Sequence, residues 1–240
     1  MKIIISGYGR MGREVEKAAG KMGHEIAATI DNAEGWDALD GKNQKADVVI
    51  DFSQPDAVTN ILERCFHRQL PVVTGTTGWY DDLSRMKEIC HQLDGTLFYA
   101  PNFSLGVNLF YLASRFLAKT MAVFENYKVQ IKETHHVHKL DAPSGTAIKT
   151  AEDIIVLHPH YHSWTKGDPD RPGELVIISS RTGEVPGTHT VTYTSDADLI
   201  ELKHEAKNRS GFAAGAVQAA EWVREKKGIF TMDDMIKSML

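Results

Sequence analysis

Between residues 135 and 147 the chain reads HHVHKLDAPSGTA: three histidines, a lysine and an aspartate within seven positions, followed at once by a turn of small residues. Side chains of these types can hold a metal, form a solvated charged edge, or exchange protons with an anionic substrate. The last use fits a cluster that runs into a helix start, because free backbone amides there attract a carboxylate. If residues 127–139 stay extended, Glu133, His135, Val137 and Lys139 share one face and His136 and His138 the other, so that His135 and Lys139 could act together. More imidazole stands at His158, His160 and His162. The spacing matches no familiar zinc signature, and no cysteine or carboxylate obviously completes a ligand set, so no metal is expected.

A second constellation opens the chain. Gly7-Tyr8-Gly9-Arg10-Met11-Gly12 is a GxGxxG sequence between an apolar strand pattern and a helical one. In such a turn the first glycine permits the bend, the second admits a pyrophosphate close to the backbone, and the third lets helix lie on strand. Asp31, about twenty residues on at the end of a second strand, can bind adenosine ribose hydroxyls. A carboxylate there repels a ribose phosphate, and Asn32, Ala33 and Glu34 bring no cation, so NADH is favoured. Arg10 keeps NADPH possible, since its guanidinium can reach a phosphate near the helix start.

These residues need elements to hold them. Strands are expected over 2–6, 25–30, 46–52, 70–74 and 96–100, with helices over 11–22, 55–67 and 81–93 between them. The strands are apolar almost throughout, as parallel strands covered on both faces are. From residue 105 the pattern changes: a long helix over 105–120, a strand over 127–134, and a helix over 144–156 that Ser144 can cap. A loop over 157–173 and strands at 174–181, 187–194 and 198–204 follow, suggesting a more antiparallel sheet. The final helix, 211–226, could pack back on the first domain. The expected fold is α/β: a Rossmann-type doubly wound parallel sheet domain (1–104 with 210–240) and a smaller α+β substrate domain with an open mixed sheet (105–209).

The chain has 240 residues, 42% of them hydrophobic, enough for a core in each domain. Its net charge of −5 gives no general attraction to nucleic acid or anionic membrane. No apolar run approaches the length of a membrane span, and the amino-terminal run is too short for a secretory signal. Cys65 and Cys90 form no CxxC pair and suit a reducing compartment. A cytoplasmic protein is expected.

Asp51-Phe52-Ser53-Gln54-Pro55, Gly75-Thr76-Thr77-Gly78, Ala100-Pro101-Asn102-Phe103-Ser104 and the histidine stretch occur here in one order. In that order they resemble the 4-hydroxy-tetrahydrodipicolinate reductase family, also called dihydrodipicolinate reductase, and the resemblance spans nearly the whole chain. It implies NAD(P)H-dependent reduction of a cyclic imine dicarboxylate on the diaminopimelate route to lysine. It further implies that Gly7 to Gly12, Asp31, Gly75, Thr76, Thr77, Ala100, Pro101, Asn102 and Phe103 bind the nicotinamide cofactor. By the same resemblance His135 is the acid-base residue, Lys139 the proton donor, and His136, Gly145 and Thr146 bind substrate. Arg181 and His189 fall in a family-like stretch and are read as supporting; no role is claimed for Arg209 or for the 158–162 histidines. Family members are usually homotetramers assembled through the second-domain sheet. Two other readings compete: a different Rossmann oxidoreductase acting on a small carbonyl or imine, and a non-catalytic NADH-sensing protein.

Overall fold

The computed structural model describes residues 1–40, 45–168, 171–208 and 210–240. Arg209, at the expected domain boundary, and residues 169–170 of the expected loop lie outside the described residues. The chain divides into two compact units, Met1–Leu105 with Ser210–Leu240, and Gly106–Arg209.

The first unit alternates strand and helix: β1 (Lys2–Ser6), α1 (Arg10–Lys21), β2 (Glu25–Ile30), α2 (Ala33–Asp40), β3 (Val48–Asp51), α3 (Pro55–His67), β4 (Val72–Thr74), α4 (Leu83–Gln92) and β5 (Thr96–Tyr99). In the second unit come α5 (Leu105–Met121, whose first residue belongs to the first unit), β6 (Lys128–His135), α6 (Gly145–Leu157), β7 (Ser163–Lys166), β8 (Glu174–Arg181), β9 (Thr188–Thr194) and β10 (Leu199–Glu205). The chain then rejoins the first unit as α7 (Ser210–Val223), β11 (Gly228–Phe230) and α8 (Met232–Lys237).

The first sheet has the order β11-β5-β4-β3-β1-β2 and every pairing is parallel. From β1 the chain pairs outward to β2 and then crosses back to β3 on the other side, so the strand order reverses at β1. The carboxyl ends of β1 and β3 therefore flank the crevice in which doubly wound sheets bind ligands. Burial follows the sequence pattern. Ile3, Ile4, Ile5, Val48, Val49 and Ile50 are wholly buried, as strands covered on both faces demand. Helix α7 closes one of these faces: Ala213, Ala216, Val217 and Ala220 pack in the same core as Ile5, Ile50 and Val73. Its small residues permit this approach. A Cβ at Gly215 would stand 1.9 Å from the Phe103 carbonyl oxygen, so only glycine fits there.

The second sheet has the order β10-β9-β6-β8-β7. β6 pairs antiparallel with β9 and parallel with β8, β9 with β10 is antiparallel, and β7 with β8 is parallel. The sheet is thus mixed, as expected, with antiparallel pairings that the first sheet lacks. β8 and β9 follow one another in sequence, yet β6 lies between them. A further strand, β7, sits inside the stretch expected to be loop, held by its ladder with β8. α2, β11 and α8 also went unpredicted. In α2 only Trp36 and Leu39 are buried hydrophobics among the described side chains, too few to set up a helical period.

Strand β6 ends at His135, four residues short of Lys139. Beyond it the chain turns, with the Lys139 amide donating to the His136 carbonyl at 3.2 Å. The expected extended face therefore holds for Glu133 and His135, both buried, and not for Val137 and Lys139. Cys65 and Cys90 are both buried in the first unit, where burial first of all pushes the Cys90 thiol up to about 11.

Candidate active site

In the first unit the three glycines of the opening turn are set apart by what surrounds them. Gly7 has φ +80°, and a Cβ there would meet the Phe52 carbonyl oxygen at 2.3 Å. A Cβ at Gly12 would lie 2.4 Å from the Gly7 carbonyl oxygen, which is the close approach of α1 to the turn. At Gly9 nothing stands within 4 Å of that position. The crowded glycines build the turn, and the open one leaves room for a ligand. Helix α1 starts here with no side-chain cap and no acidic residue in its first turn, so its free amides and dipole are available to an anion.

Two cavities share Gly9, Phe52, Ser53 and Gln54 in their walls. One, of about 400 Å³, extends past Asp31, Asn32, Trp36 and Asn60. The other, of about 410 Å³, extends past Arg10, Met11 and Gly75-Thr76-Thr77. Asp31 accepts the Tyr8 amide at 2.5 Å, which ties the end of β2 to the glycine turn. Tyr8 itself points its hydroxyl to Glu16. Thr76 is held from beneath by Asp51, a wholly buried carboxylate at the end of β3 that accepts from Thr74 Oγ1 at 2.7 Å and Thr76 Oγ1 at 2.8 Å. Burial raises the Asp51 carboxyl, and these hydroxyls work against that rise.

The structure thus brings Gly7, Gly9, Asp31, Arg10, Met11, Gly75, Thr76 and Thr77 around two cavities with a shared wall, with Tyr8 and Gly12 supporting the turn. Ala100, Pro101, Asn102 and Phe103 follow β5 but line neither cavity. Phe103 is buried, stacked at 5.8 Å on Phe98 and edge-on at 6.0 Å to Phe52, while Asn102 accepts the Ser104 amide at 2.9 Å. Asp51, Trp36 and Asn60 were missed as site residues. For Asp51 the signal was present: a carboxylate ending an otherwise apolar buried strand calls for a partner.

In the second unit His135 lies on the buried face of β6 with its Nδ1 2.9 Å from Oε2 of Glu133. The two atoms meet at contact distance without the geometry of a full hydrogen bond. The Glu133 Oε1 accepts the Ser144 amide at 3.1 Å and faces both terminal nitrogens of Arg181, at 3.3 and 3.4 Å. Burial alone would push the Glu133 carboxyl up; its contacts with His135 and Ser144 outweigh that and hold it far below the usual carboxylate range. His189 completes the group, with Nε2 3.2 Å from Ser144 Oγ and its ring 5.0 Å from that of His135. Burial, then the neighbouring His135, pushes His189 down to about 3.

Both shifts have a consequence for stability. Each folded-state value lies below the unfolded one (6.5 for histidine, 4.5 for glutamate), so the unfolded chain takes up protons first as pH falls. Stability is therefore expected to be full above about pH 6.5 and to fall below it. His189 contributes a slope of about 1.4 kcal/mol per pH unit, and Glu133 adds to it below about pH 4.5. Urea unfolding midpoints from pH 7 to pH 5 measure the slope, which His189→Asn should flatten.

Glu133, His135 and His189 offer one ligand atom each within 4.8 Å of one another. The Arg181 guanidinium already balances the Glu133 charge, which favours a proton-handling network over a cation there. Arg181 also donates to the carbonyls of Lys139 (3.3 Å) and Asp141 and so braces the 139–141 turn. Lys139 pairs with Asp141 at 2.8 Å, which holds the Asp141 carboxyl low. Ser144 caps α6 as expected, its Oγ accepting the Ala147 amide at 3.3 Å. That leaves the amides of Gly145 and Thr146 without an intrachain partner among the described residues, and Gly145 open, with nothing within 4 Å of a Cβ position. His136 carries a buried Nδ1 with no protein partner and lies 6.0 Å from the His138 ring. Residues 158–162 are elsewhere in this unit: His158 is buried against His160 and Tyr161, away from the cluster at Glu133.

Family models of the dihydrodipicolinate reductase amino and carboxyl termini match residues 1–103 and 106–236. The chain belongs to the dihydrodipicolinate reductase family. A 4-hydroxy-tetrahydrodipicolinate reductase of Christiangramia forsetii is 45% identical over all of this chain and 99% of the relative. One from Archaeoglobus fulgidus is 36% identical over 99% of this chain and 100% of the relative. Among solved structures, dipicolinate-bound dihydrodipicolinate reductase from Paenisporosarcina sp. TG-14 has a TM-score of 0.78 at 24% identity, covering 96% of this chain and 97% of that one. A myo-inositol dehydrogenase from Corynebacterium glutamicum has a TM-score of 0.58 at 14% identity, with 95% and 90% covered. The family match gives the two constellations one owner: both the glycine turn and the histidine stretch lie within the matched ranges of a single dihydrodipicolinate reductase chain.

Proposed function

We propose that this chain is an NAD(P)H-dependent 4-hydroxy-tetrahydrodipicolinate reductase that forms tetrahydrodipicolinate in lysine and diaminopimelate biosynthesis. The observation that carries the reading is the buried Glu133–His135 pair beside the open start of α6, in a chain whose other unit has a glycine turn shaped for a dinucleotide.

The cofactor cradle is assigned to Gly7, Tyr8, Gly9, Arg10, Met11, Gly12, Asp31, Gly75, Thr76 and Thr77, with Ala100, Pro101, Asn102 and Phe103 at the end of β5. The fit rests on the open Gly9 and the two cavities that meet there. When bound, the reduced nicotinamide supplies the hydride. Asp31 favours NADH, because it would repel a phosphate on the ribose it serves. The protein's own task is to hold a dicarboxylate ring, offset charge that develops on it, and return one proton. The amides of Gly145 and Thr146 receive a carboxylate, with His136 as a polar partner. Lys139 supplies positive charge and a proton, and His135 exchanges protons through the ring nitrogen that does not face Glu133. The dipicolinate-bound relative supports a ligand of this dicarboxylate kind.

Exposed apolar side chains on the second unit, Phe116 on α5, Val123 just beyond it, and Ile178, Leu199 and Ile200 on the sheet, support a homotetramer. A cytoplasmic location is supported by two buried cysteines outside any disulfide and, among the described residues, the lack of a helix able to cross a membrane. The activity is tested by following oxidation of NADH and of NADPH while the product of the preceding synthase is supplied. Oxidation that depends on that product, faster with NADH, is expected. Oxidation of neither cofactor would reject the reaction, and a preference for NADPH would reject the assignment of Asp31.

A further inference from the structure

We infer that Glu133 is the positioning residue of the proton-exchange group: one of its oxygens sets the His135 ring with the proton on Nδ1, and the other ties the same carboxylate to the start of α6. The inference rests on the reading of His135 as the acid-base residue.

Glu133 is 0% exposed, and a carboxylate is kept in such a place only with partners. Its two oxygens have separate ones. Oε1 takes the Ser144 amide and the Arg181 guanidinium, while Oε2 faces imidazole, His135 Nδ1 at 2.9 Å and His189 Nε2 at 3.9 Å, and the Ser179 hydroxyl also supports the carboxylate. An ionised carboxylate accepts and cannot donate, so of the two ring nitrogens it favours the proton on the one at contact distance, where a lone pair would be repelled. The basic lone pair of His135 is thereby placed on Nε2. That atom looks toward Gly187, where a Cβ would stand 3.0 Å away; glycine leaves the approach to it clear.

The neighbours reinforce this division of roles. Arg181 offsets the carboxylate from the side away from the ring, so the charge survives burial without the imidazole having to stay protonated. His189 bonds instead to Ser144 Oγ at 3.2 Å. Lys139, the other cation of the turn, is paired with Asp141. Because Ser144 also caps α6, Glu133 anchors both the proton-exchanging ring and the helix start whose Gly145 and Thr146 amides are open. A single buried carboxylate thus fixes the spacing between two groups that must meet one substrate, where misplacement by about 1 Å can cost on the order of a hundredfold in rate.

The test is Glu133→Gln in the full-length chain, assayed with NADH and the synthase product across the pH range. A drop in kcat of about a hundredfold is expected, with the KM for NADH unchanged. The acid limb of kcat/KM should move to lower pH by about one unit, since a protonated ring loses its counter-charge. A merely structural role would lower the active fraction at every pH and leave that limb in place. In a His135→Gln background the same change should cost almost nothing more, because the carboxylate acts through the ring. Where Glu133→Gln does not accumulate as folded protein, Glu133→Asp keeps the charge but withdraws it by a methylene; about a tenfold loss of kcat with the parent's pH profile is then expected. An unmoved limb in Glu133→Gln, full additivity with His135→Gln, or parent-like kcat in Glu133→Asp overturns the inference. Turnover that survives His135→Gln would instead overturn the acid-base reading itself, and the positioning role with it.

Discussion

Replacing His135 with glutamine is expected to lower kcat by about a thousandfold while leaving NADH affinity at its parent value, since a positioned acid-base group contributes on the order of a hundred- to ten-thousandfold. Glutamine keeps a polar head of similar reach, so the buried face of β6 loses little packing, but it can neither take up nor return a proton near neutral pH. Cofactor affinity should be insensitive because His135 belongs to the second unit and the glycine turn, Asp31 and the Gly75–Thr77 loop to the first. Lys139→Ala is the companion variant. Its ammonium is already paired with Asp141 at 2.8 Å, so its removal also frees a carboxylate beside the substrate turn. That loss should appear in the substrate KM as well as in kcat, because repulsion of an anionic ligand acts on binding before it acts on the chemistry. Titration of NADH by fluorescence, with steady-state kinetics on the same preparations, separates the two effects. Parent-like kcat in both variants would remove these residues from the proton transfer.

The sequence carried much of this, for reasons that differ between the two units. Strands β1, β3 and β4 announce themselves because a parallel strand covered on both faces must be apolar throughout, and helix α3 was bounded at Pro55 and His67 by a proline that starts helices and a turn that ends them. The order of β6, β8 and β9 could not be read in this way. Each has the same alternation, and nothing in that alternation says that β6 inserts between two later strands. Lys139 was placed on the His135 face by extending β6 through residue 139, and the turn closed by the His136 carbonyl ended that extension. Glu133 and Arg181 show the limit for the site. Their residue types were visible, but they are 48 positions apart, and only the parallel ladder of β6 with β8, which sets His135 opposite Arg181, brings the guanidinium onto the carboxylate. Asp51 is the converse case: one acid at the end of a buried apolar strand is a local anomaly that calls for a partner, yet its task beneath the Gly75–Thr77 loop went unassigned until the Thr74 and Thr76 hydroxyls were seen on it.

Gly9→Val should separate binding from folding more sharply than any other change in the first unit. Position 9 has φ −78° and ψ −149°, outside the regions that side-chain-bearing residues favour, but no protein atom lies within 4 Å of its Cβ position. The valine would meet no neighbour in the folded protein, so the melting temperature should fall by a few degrees at most, from backbone strain alone. Its methyl groups would instead occupy the shared wall of the two cavities, at the uncapped start of α1, where the glycine-turn reading seats the pyrophosphate. An obstruction of that kind costs about 3 kcal/mol, so the Kd for NADH should rise on the order of a hundredfold. Gly12→Val provides the contrast. There a Cβ falls 2.4 Å from the Gly7 carbonyl oxygen, backbone that cannot swing aside, so α1 must separate from β1 and the folded yield should collapse. Calorimetric titration of NADH beside thermal unfolding reads both variants. Parent-like affinity in a folded Gly9→Val protein would mean that the dinucleotide does not cross the glycine turn, and with that the assignment of Asp31 and of the Gly75–Thr77 loop to the cofactor would lose its basis.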